Sequence, residues 1–238
     1  MGGLEKPGRG RLKIKEEDTY MPIDFKKTEK KLYQPQITPS IIDVPELTFI
    51  MVDGSGNPNT SAAYKNALEI LYGLSYNIKM SKMSGTQPAG YFEYVVPPLE
   101  GLWYHKNGGV ITDLADKDNF CWTSMIRQPD FVTADAFETA KLALSKKKPD
   151  LDLSLARLEK FTEGLCAQIM HIGPYDDEPA TIAVLGKFIE ESGYSTDFTA
   201  IRRHHEIYLG DPRKTAPEKL KTVIRYPIIR RKGADCNG

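Results

Sequence analysis

Apolar and polar positions alternate along the chain in two similar series of elements. Leu47-Thr-Phe-Ile-Met-Val52 is a short apolar run rich in branched and aromatic residues, closed by Asp53-Gly54-Ser-Gly56-Asn-Pro58. It predicts a buried strand followed by a turn. Asn59-Thr-Ser61 then offers a helix cap, and Tyr64, Ala67, Leu68, Leu71 and Leu74 recur at three- and four-residue spacing, predicting a helix through Met80. Beyond a loop rich in Gly, Ser and Pro (84–90), Tyr91-Phe-Glu-Tyr-Val-Val96 predicts a strand stopped by Pro97-Pro98. Gly101-Leu-Trp103-Tyr104 and the run from Asn119 to Arg127 predict two more segments of strand, the second ending at Pro129.

Thr133 to Lys147 predicts a connecting helix, after which the order recurs. Glu163 to Ile172 is a strand, Gly173 to Pro179 a turn, and Ala180 to Gly193 a helix with Ile182, Leu185, Phe188 and Ile189 on its apolar stripe. Arg202 to Leu209 and Lys221 to Tyr226 are strands ended by Gly210-Asp-Pro212 and Pro227. Local correspondences support an internal duplication: Gly54 with Gly173, Tyr91-Phe-Glu93-Tyr with His204-His-Glu206-Ile, and Met125-Ile-Arg127-Gln-Pro129 with Val223-Ile-Arg225-Tyr-Pro227. The expected fold class is therefore α+β. A tandem duplicated β-α-β-β repeat is expected to form one mostly antiparallel sheet, with helices on one face and a ligand groove between the repeats. The expected divisions are a polar N-terminal extension (1–34), a main domain (35–230) and a C-terminal tail (231–238). Within the domain, repeat one spans 41–130, the connector helix 131–150 and repeat two 156–230.

Composition narrows the partners. The 238 residues carry 32 Lys+Arg against 32 Asp+Glu, a net charge of zero, with 40% hydrophobic and 27% charged residues. A chain of that size buries a core without covalent staples. Neutrality argues against direct nucleic-acid binding, because phosphate neutralisation needs clustered cations. The absence of a long apolar run argues against a membrane span, and the first ten residues contain no apolar signal segment. Three widely separated cysteines, Cys121, Cys166 and Cys236, fit a reducing compartment, so a cytoplasmic location is expected.

Candidate chemistry follows from strand alternation. His204, Glu206 and Tyr208 share one face of their strand, while Ile207 and Leu209 take the other, expected to pack on the helices. The duplication places Glu93 on the same non-helical face, with Trp103, Tyr104 and Trp122 as candidate walls. A carboxylate among aromatic rings balances a cationic ligand, or, when poorly solvated, serves as general acid or base. The competing account is a pair of glutamates on the wet face of an antiparallel sheet. His204-His205-Glu206 invites a metal, but adjacent strand residues diverge and the sequence offers no helical His pair or Cys-x-x-Cys to complete a site, so neither metal nor cofactor is expected.

These residues also carry a resemblance. Tyr94-Val-Val-Pro-Pro-Leu-Glu100-Gly-Leu-Trp103, Trp122 to Pro129, Gly173-Pro-Tyr175, His204 to Pro212 and Ala216 to Thr222 resemble the GyrI-like small-molecule-binding domain, related to effector-binding domains of multidrug-responsive regulators. The resemblance covers nearly all of the chain from residue 35. It implies a ligand groove between two β-α-β-β repeats, with Glu206 facing planar cationic ligands. It also implies an activity like that of stand-alone cyclopropanoid cyclohydrolases, which add water to the strained ring of DNA-alkylating compounds as a detoxification step. On that basis Glu206, Glu100 and Tyr208 are the expected catalytic residues, and Trp103, Tyr104, Trp122, Tyr175, Glu93 and His204 the expected ligand-binding residues. Tyr104 stands where similar sequences often carry a second tryptophan, a departure that bears on substrate preference. The alternative is a non-catalytic module that sequesters drugs or senses an effector together with a transcription-regulator partner. The sequence leaves the oligomeric state open.

Overall fold

The computed structural model describes residues 21–111 and 116–231; most of the polar extension and the C-terminal tail lie outside them. In chain order the elements are α1 (Phe25–Thr28), α2 (Lys30–Tyr33), β1 (Ser40–Ser55), α3 (Ala62–Met80), β2 (Leu99–His105), β3 (Phe120–Gln128), α4 (Ala134–Lys147), β4 (Ala156–Ile172), α5 (Glu178–Glu191), β5 (Tyr194–Thr196), β6 (His204–Tyr208) and β7 (Lys221–Arg230). Strand-helix-strand-strand order thus occurs in both halves, with the short β5 added in the second. The predicted caps form: the Ser61 hydroxyl accepts from the Tyr64 N–H at 3.4 Å and that of Thr133 from the Ala136 N–H at 3.3 Å. No described helix is long and apolar enough to cross a membrane.

The open sheet expected from the pattern is instead closed. The strands run β4-β1-β3-β2-β6-β7 in antiparallel register, and β7 pairs back onto β4, so six strands form a barrel with β5 on the edge of β7. Strand length makes this possible. β4 spans 17 residues and pairs with β1 over 156–168 and with β7 over 166–172. Closure leaves few unpaired edges. It also gives β6 two enclosed faces, and here the expected orientation is reversed. Ile207 and His205 face the barrel interior with Glu100, Glu163 and Arg225, whereas His204, Glu206 and Tyr208 face the side that carries the helices.

Both large helices lie on that outer side. α3 applies Ala67, Ile70, Leu71, Leu74 and Ile78 to the outer surface of β1 and β3 and packs against α4. α5 applies Leu185 and Ile189 to Ala167, Ile169, Ile224 and Ile228 of β4 and β7. Between the two helices, β2 and β6 form the floor of an open cleft.

Three local expectations change. β1 continues through the expected turn, and Gly54 is a strand residue opposite Trp122. A Cβ there would lie 2.8 Å from Trp122 Cζ3 and closer still to Cζ2 and Cη2. Gly54→Ala should therefore destabilise the fold by about 3 kcal/mol through overpacking, read as a lower urea midpoint with unchanged slope. The segment 91–96 is not part of the barrel. Its alternating aromatics, Tyr91, Phe92 and Tyr94, cluster instead on Phe131, with ring centroids 5.1–5.8 Å away, and Tyr94 forms a single parallel bridge with Ile23. Residues 21–34, expected to belong to the polar N-terminal extension, are held to the barrel. The Leu32 carbonyl accepts from Arg225 at 2.8 Å, the Lys31 carbonyl from Gln168 at 2.8 Å, and Glu29 receives both terminal nitrogens of Arg127 at 2.6 and 2.9 Å. The lysines between Phe25, Leu32 and Tyr33 dilute the apolar signal of this segment without preventing its burial.

Candidate ligand-binding cleft

Strand alternation brings His204, Glu206 and Tyr208 to the floor of the cleft. His204 Nε2–H donates to Glu206 Oε1 at 2.7 Å and Tyr208 Oη–H donates to Oε2 at 2.6 Å. Trp103, on the neighbouring β2, donates its indole N–H to Tyr208 Oη at 2.8 Å, and the Tyr226 hydroxyl meets His204 Nδ1 at 3.2 Å. Gly101 lies directly opposite Glu206. A Cβ at Gly101 would stand 2.7 Å from Trp103 Nε1 and 3.4 Å from Tyr208 Oη, so the missing side chain lets the indole fold onto the tyrosine. The Glu206 side chain keeps 12% exposure, open to the cleft.

The fourth participant comes from α5. Glu178, the first residue of that helix, is 2% exposed, and a carboxyl oxygen lies within 4.8 Å of ligand atoms of both His204 and Glu206. The helix N-terminus favours an anion by about 0.3–2 kcal/mol. Burial and the neighbouring Glu206 charge outweigh it and push the Glu178 carboxyl up to about 10. Burial also works against the charge on Glu206, but the hydrogen bonds from His204 and Tyr208, with the Glu178 carboxyl close by, prevail and hold it below the usual carboxylate range. At neutral pH the floor therefore carries one ionised and one protonated carboxyl. Burial likewise raises the Tyr208, Tyr64 and Tyr226 hydroxyls, and Tyr175 to about 12, so all four remain donors.

Aromatic walls rise from this floor. Tyr64 of α3 stands 6.0 Å from Trp103 and edge-on to Trp122 at 5.0 Å, and Tyr175 meets Tyr208 edge-on at 5.7 Å. The open cleft measures about 1600 Å³ and is lined by both helices, β2, β6 and the segments 96–99 and 209–214.

Of the expected site residues, Glu206, Tyr208, His204, Trp103 and Tyr175 line the cleft together. Four do not. Glu100 faces the barrel interior, 2% exposed, where its carboxylate accepts from His205 at 3.0 Å and Tyr33 at 3.4 Å, because β2 alternation puts it on the face opposite Trp103. Glu93 sits on the irregular segment, paired with Lys82 at 2.8 Å. Tyr104 shares the face of Glu100, and the Arg203 guanidinium covers its ring at 4.4 Å. Trp122 is 1% exposed beneath Tyr64 and supports the wall from behind. Sequence reasoning missed Glu178, which falls in the expected turn Gly173–Pro179, and Tyr64, counted in an apolar stripe that turns Tyr64 and Leu68 to the cleft. His204, Glu206 and Glu178 have the spacing to approach one metal ion, although His204 Nε2 and Glu206 Oε1 are hydrogen-bonded to each other.

The family model of the GyrI-like small molecule binding domain matches residues 37–229. The chain belongs to the GyrI-like small-molecule-binding family. Two solved structures from Listeria innocua described as hydrolases are 49% and 50% identical to it, with TM-scores of 0.79 and 0.81. They cover 87% and 88% of this chain and 100% of their own. An uncharacterized conserved protein from Listeria innocua is 51% identical, TM-score 0.82, over 87% of this chain and 100% of its own. EcmrR in complex with DNA, 12% identical with a TM-score of 0.50, shares the fold over 87% of this chain and 63% of its own. No curated protein matches the chain.

In this GyrI-like domain the protonated Glu178 leaves a testable mark. Its folded pKa, about 10, lies above the ordinary carboxyl value of 4.5, so its stabilising contribution is present below 4.5 and is lost as pH rises toward 10. Glu178→Gln reproduces the neutral shape without taking up a proton. The variant should be more stable than wild type at pH 8, with the advantage shrinking as pH falls toward 4.5. Thermal melts across that range check it.

Proposed function

We propose that the cleft binds planar, hydrophobic molecules that are cationic or electrophilic, and that it hydrolyses cyclopropanoid DNA-alkylating compounds as a detoxification step. The observation that carries this reading is the meeting of two carboxyls, Glu206 and Glu178, whose oxygens lie within 4.8 Å of each other at the base of an aromatic cleft; burial and their mutual repulsion favour one ionised and one protonated. A base and an acid side by side suit addition of water across a strained ring. Glu206 takes a proton from water as its oxygen bonds to a cyclopropane carbon. The ring C–C bond breaks, its electron pair passes into the conjugated carbonyl, and the oxygen that becomes negative takes the Glu178 proton. Transfer of a proton from Glu206 to Glu178 restores both groups, and the net change is addition of one water. His204 and Tyr208 position Glu206, while Tyr64, Trp103 and Tyr175 hold the planar substrate by stacking. The two Listeria relatives described as hydrolases support an enzyme.

One observation favours a second reading, a module that only sequesters or senses its ligand. Both oxygens of Glu206 already accept short hydrogen bonds, as suits a fixed counter-charge. Incubating the protein with a cyclopropane-bearing alkylator and following it by mass spectrometry separates the two. A product heavier by one water is the expected result. Tight binding without conversion would leave the sequestering reading, and neither binding nor conversion would remove both.

A further inference from the structure

The cleft extends well beyond Glu206. Tyr64, Leu68, Tyr72 and Tyr76 follow one another at four-residue spacing on α3, and all four line it. Tyr64 marks the inner end, against Trp103. Tyr72 and Tyr76 lie farther out, with ring centroids 6.4 Å apart and planes inclined by 27°, and are 37% and 49% exposed. Pro97, Pro98 and the turn from Leu209 to Arg213 line the same cleft. At the rise of an α-helix, Tyr64 to Tyr76 spans about 18 Å, longer than one fused tricyclic system. The volume of about 1600 Å³ likewise exceeds the ~300–1,000 Å³ usual for a drug-sized ligand.

We propose that Tyr72 and Tyr76 form an outer subsite that takes a second flat ring system of the same ligand, and so select elongated two-part molecules. This rests on the reading above that the electrophilic or cationic head sits over Glu206. The rim chemistry specifies the tail. Lys65, Lys147, Lys148, Arg213 and Lys214 line the cleft with Glu69 and Asp211, which pair with Lys148 and Arg213; the surplus charge is positive, so a cationic tail is disfavoured where the head is attracted, and a neutral aromatic tail fits the near-parallel rings.

The test compares 9-aminoacridine with the same acridine joined by a short flexible linker to naphthalene, and with a control bearing a cyclohexyl group in place of the naphthalene. Affinities come from fluorescence titration. Wild type should bind the naphthyl compound at least tenfold more tightly than 9-aminoacridine and than the cyclohexyl control. In the double variant Tyr72→Ala/Tyr76→Ala that advantage should vanish while affinity for 9-aminoacridine stays unchanged, and Tyr72→Phe/Tyr76→Phe should restore it. Equal affinities in wild type, or an advantage that survives the alanine pair, overturns the outer subsite and leaves the head site standing. If 9-aminoacridine itself fails to bind wild type, the reading of Glu206 fails and the subsite falls with it.

Discussion

Glu206→Gln leaves the barrel folded and lowers hydrolysis of a cyclopropane-bearing alkylator by about 10²–10⁴-fold, the usual contribution of a positioned general base. The amide has the size of the carboxylate and still offers an oxygen to Tyr208 or His204, so packing on β6 is kept. What it loses is the negative charge and the ability to take a proton from water. Its neighbour changes as well. The Glu206 charge is one of the causes that keep Glu178 protonated, so in the variant the Glu178 titration should move down while burial still holds it above the ordinary carboxyl range. The pH profile of the residual activity should shift in the acid direction accordingly. Full activity in a folded Glu206→Gln variant excludes Glu206 as the base.

The largest effect on stability is expected inside the barrel. Glu163 and Arg225 are each 2% exposed; they pair at 2.9 Å, and Glu163 also meets His205 at 3.0 Å, while the other His205 nitrogen donates to Glu100 at 3.0 Å. Removing one member of such a buried network strands the remaining charges. Glu163→Ala should cost about 3–5 kcal/mol, read by urea denaturation, or give a chain that does not fold. Burial opposes both charges, but their mutual attraction prevails: Glu163 is lowered to about 2, and His205 is raised to about 9 with a second hydrogen bond to Glu100. The signs are opposite. The His205 contribution is complete below its ordinary value of 6.5 and lost as pH rises through 9, whereas that of Glu163 is complete above 4.5 and lost as pH falls through 2. These two groups therefore contribute together most fully between pH 4.5 and 6.5. In a less severe Glu163→Gln variant both the acid limb and part of the alkaline limb should flatten.

Local signals in the sequence were reliable where a single element decides the answer. Caps at Ser61 and Thr133 start α3 and α4, and alternation on β6 correctly groups His204, Glu206 and Tyr208. The helix-facing side of β6 was not legible. Both of its faces are enclosed, and ionisable residues stand on both, His204 and Glu206 outward and His205 beside Ile207 inward, so the rule that apolar side chains turn toward the helices points the wrong way. Closure of the barrel depends on pairing β4 with β7, a contact between distant segments that leaves no periodic trace. Glu100 stands beside the Gly-Leu-Trp run that does build the cleft, yet one step along a strand sends it to the interior. Glu93 resembles Glu206 only in local sequence, and the segment around it packs as an aromatic cluster rather than as a strand. Glu178 enters only in three dimensions, when α5 carries its first residue over the floor.

The charge at the cleft floor is the centre of the account, and calorimetric titration of 9-aminoacridine into wild type and Glu206→Gln at neutral pH tests it most directly. One planar cation should bind per wild-type chain, and the Gln variant should bind at least a hundredfold more weakly, about 2.8 kcal/mol at 1.4 kcal/mol per tenfold. Equal affinity for the two proteins would contradict the assignment of Glu206 as the group that recognises the ligand.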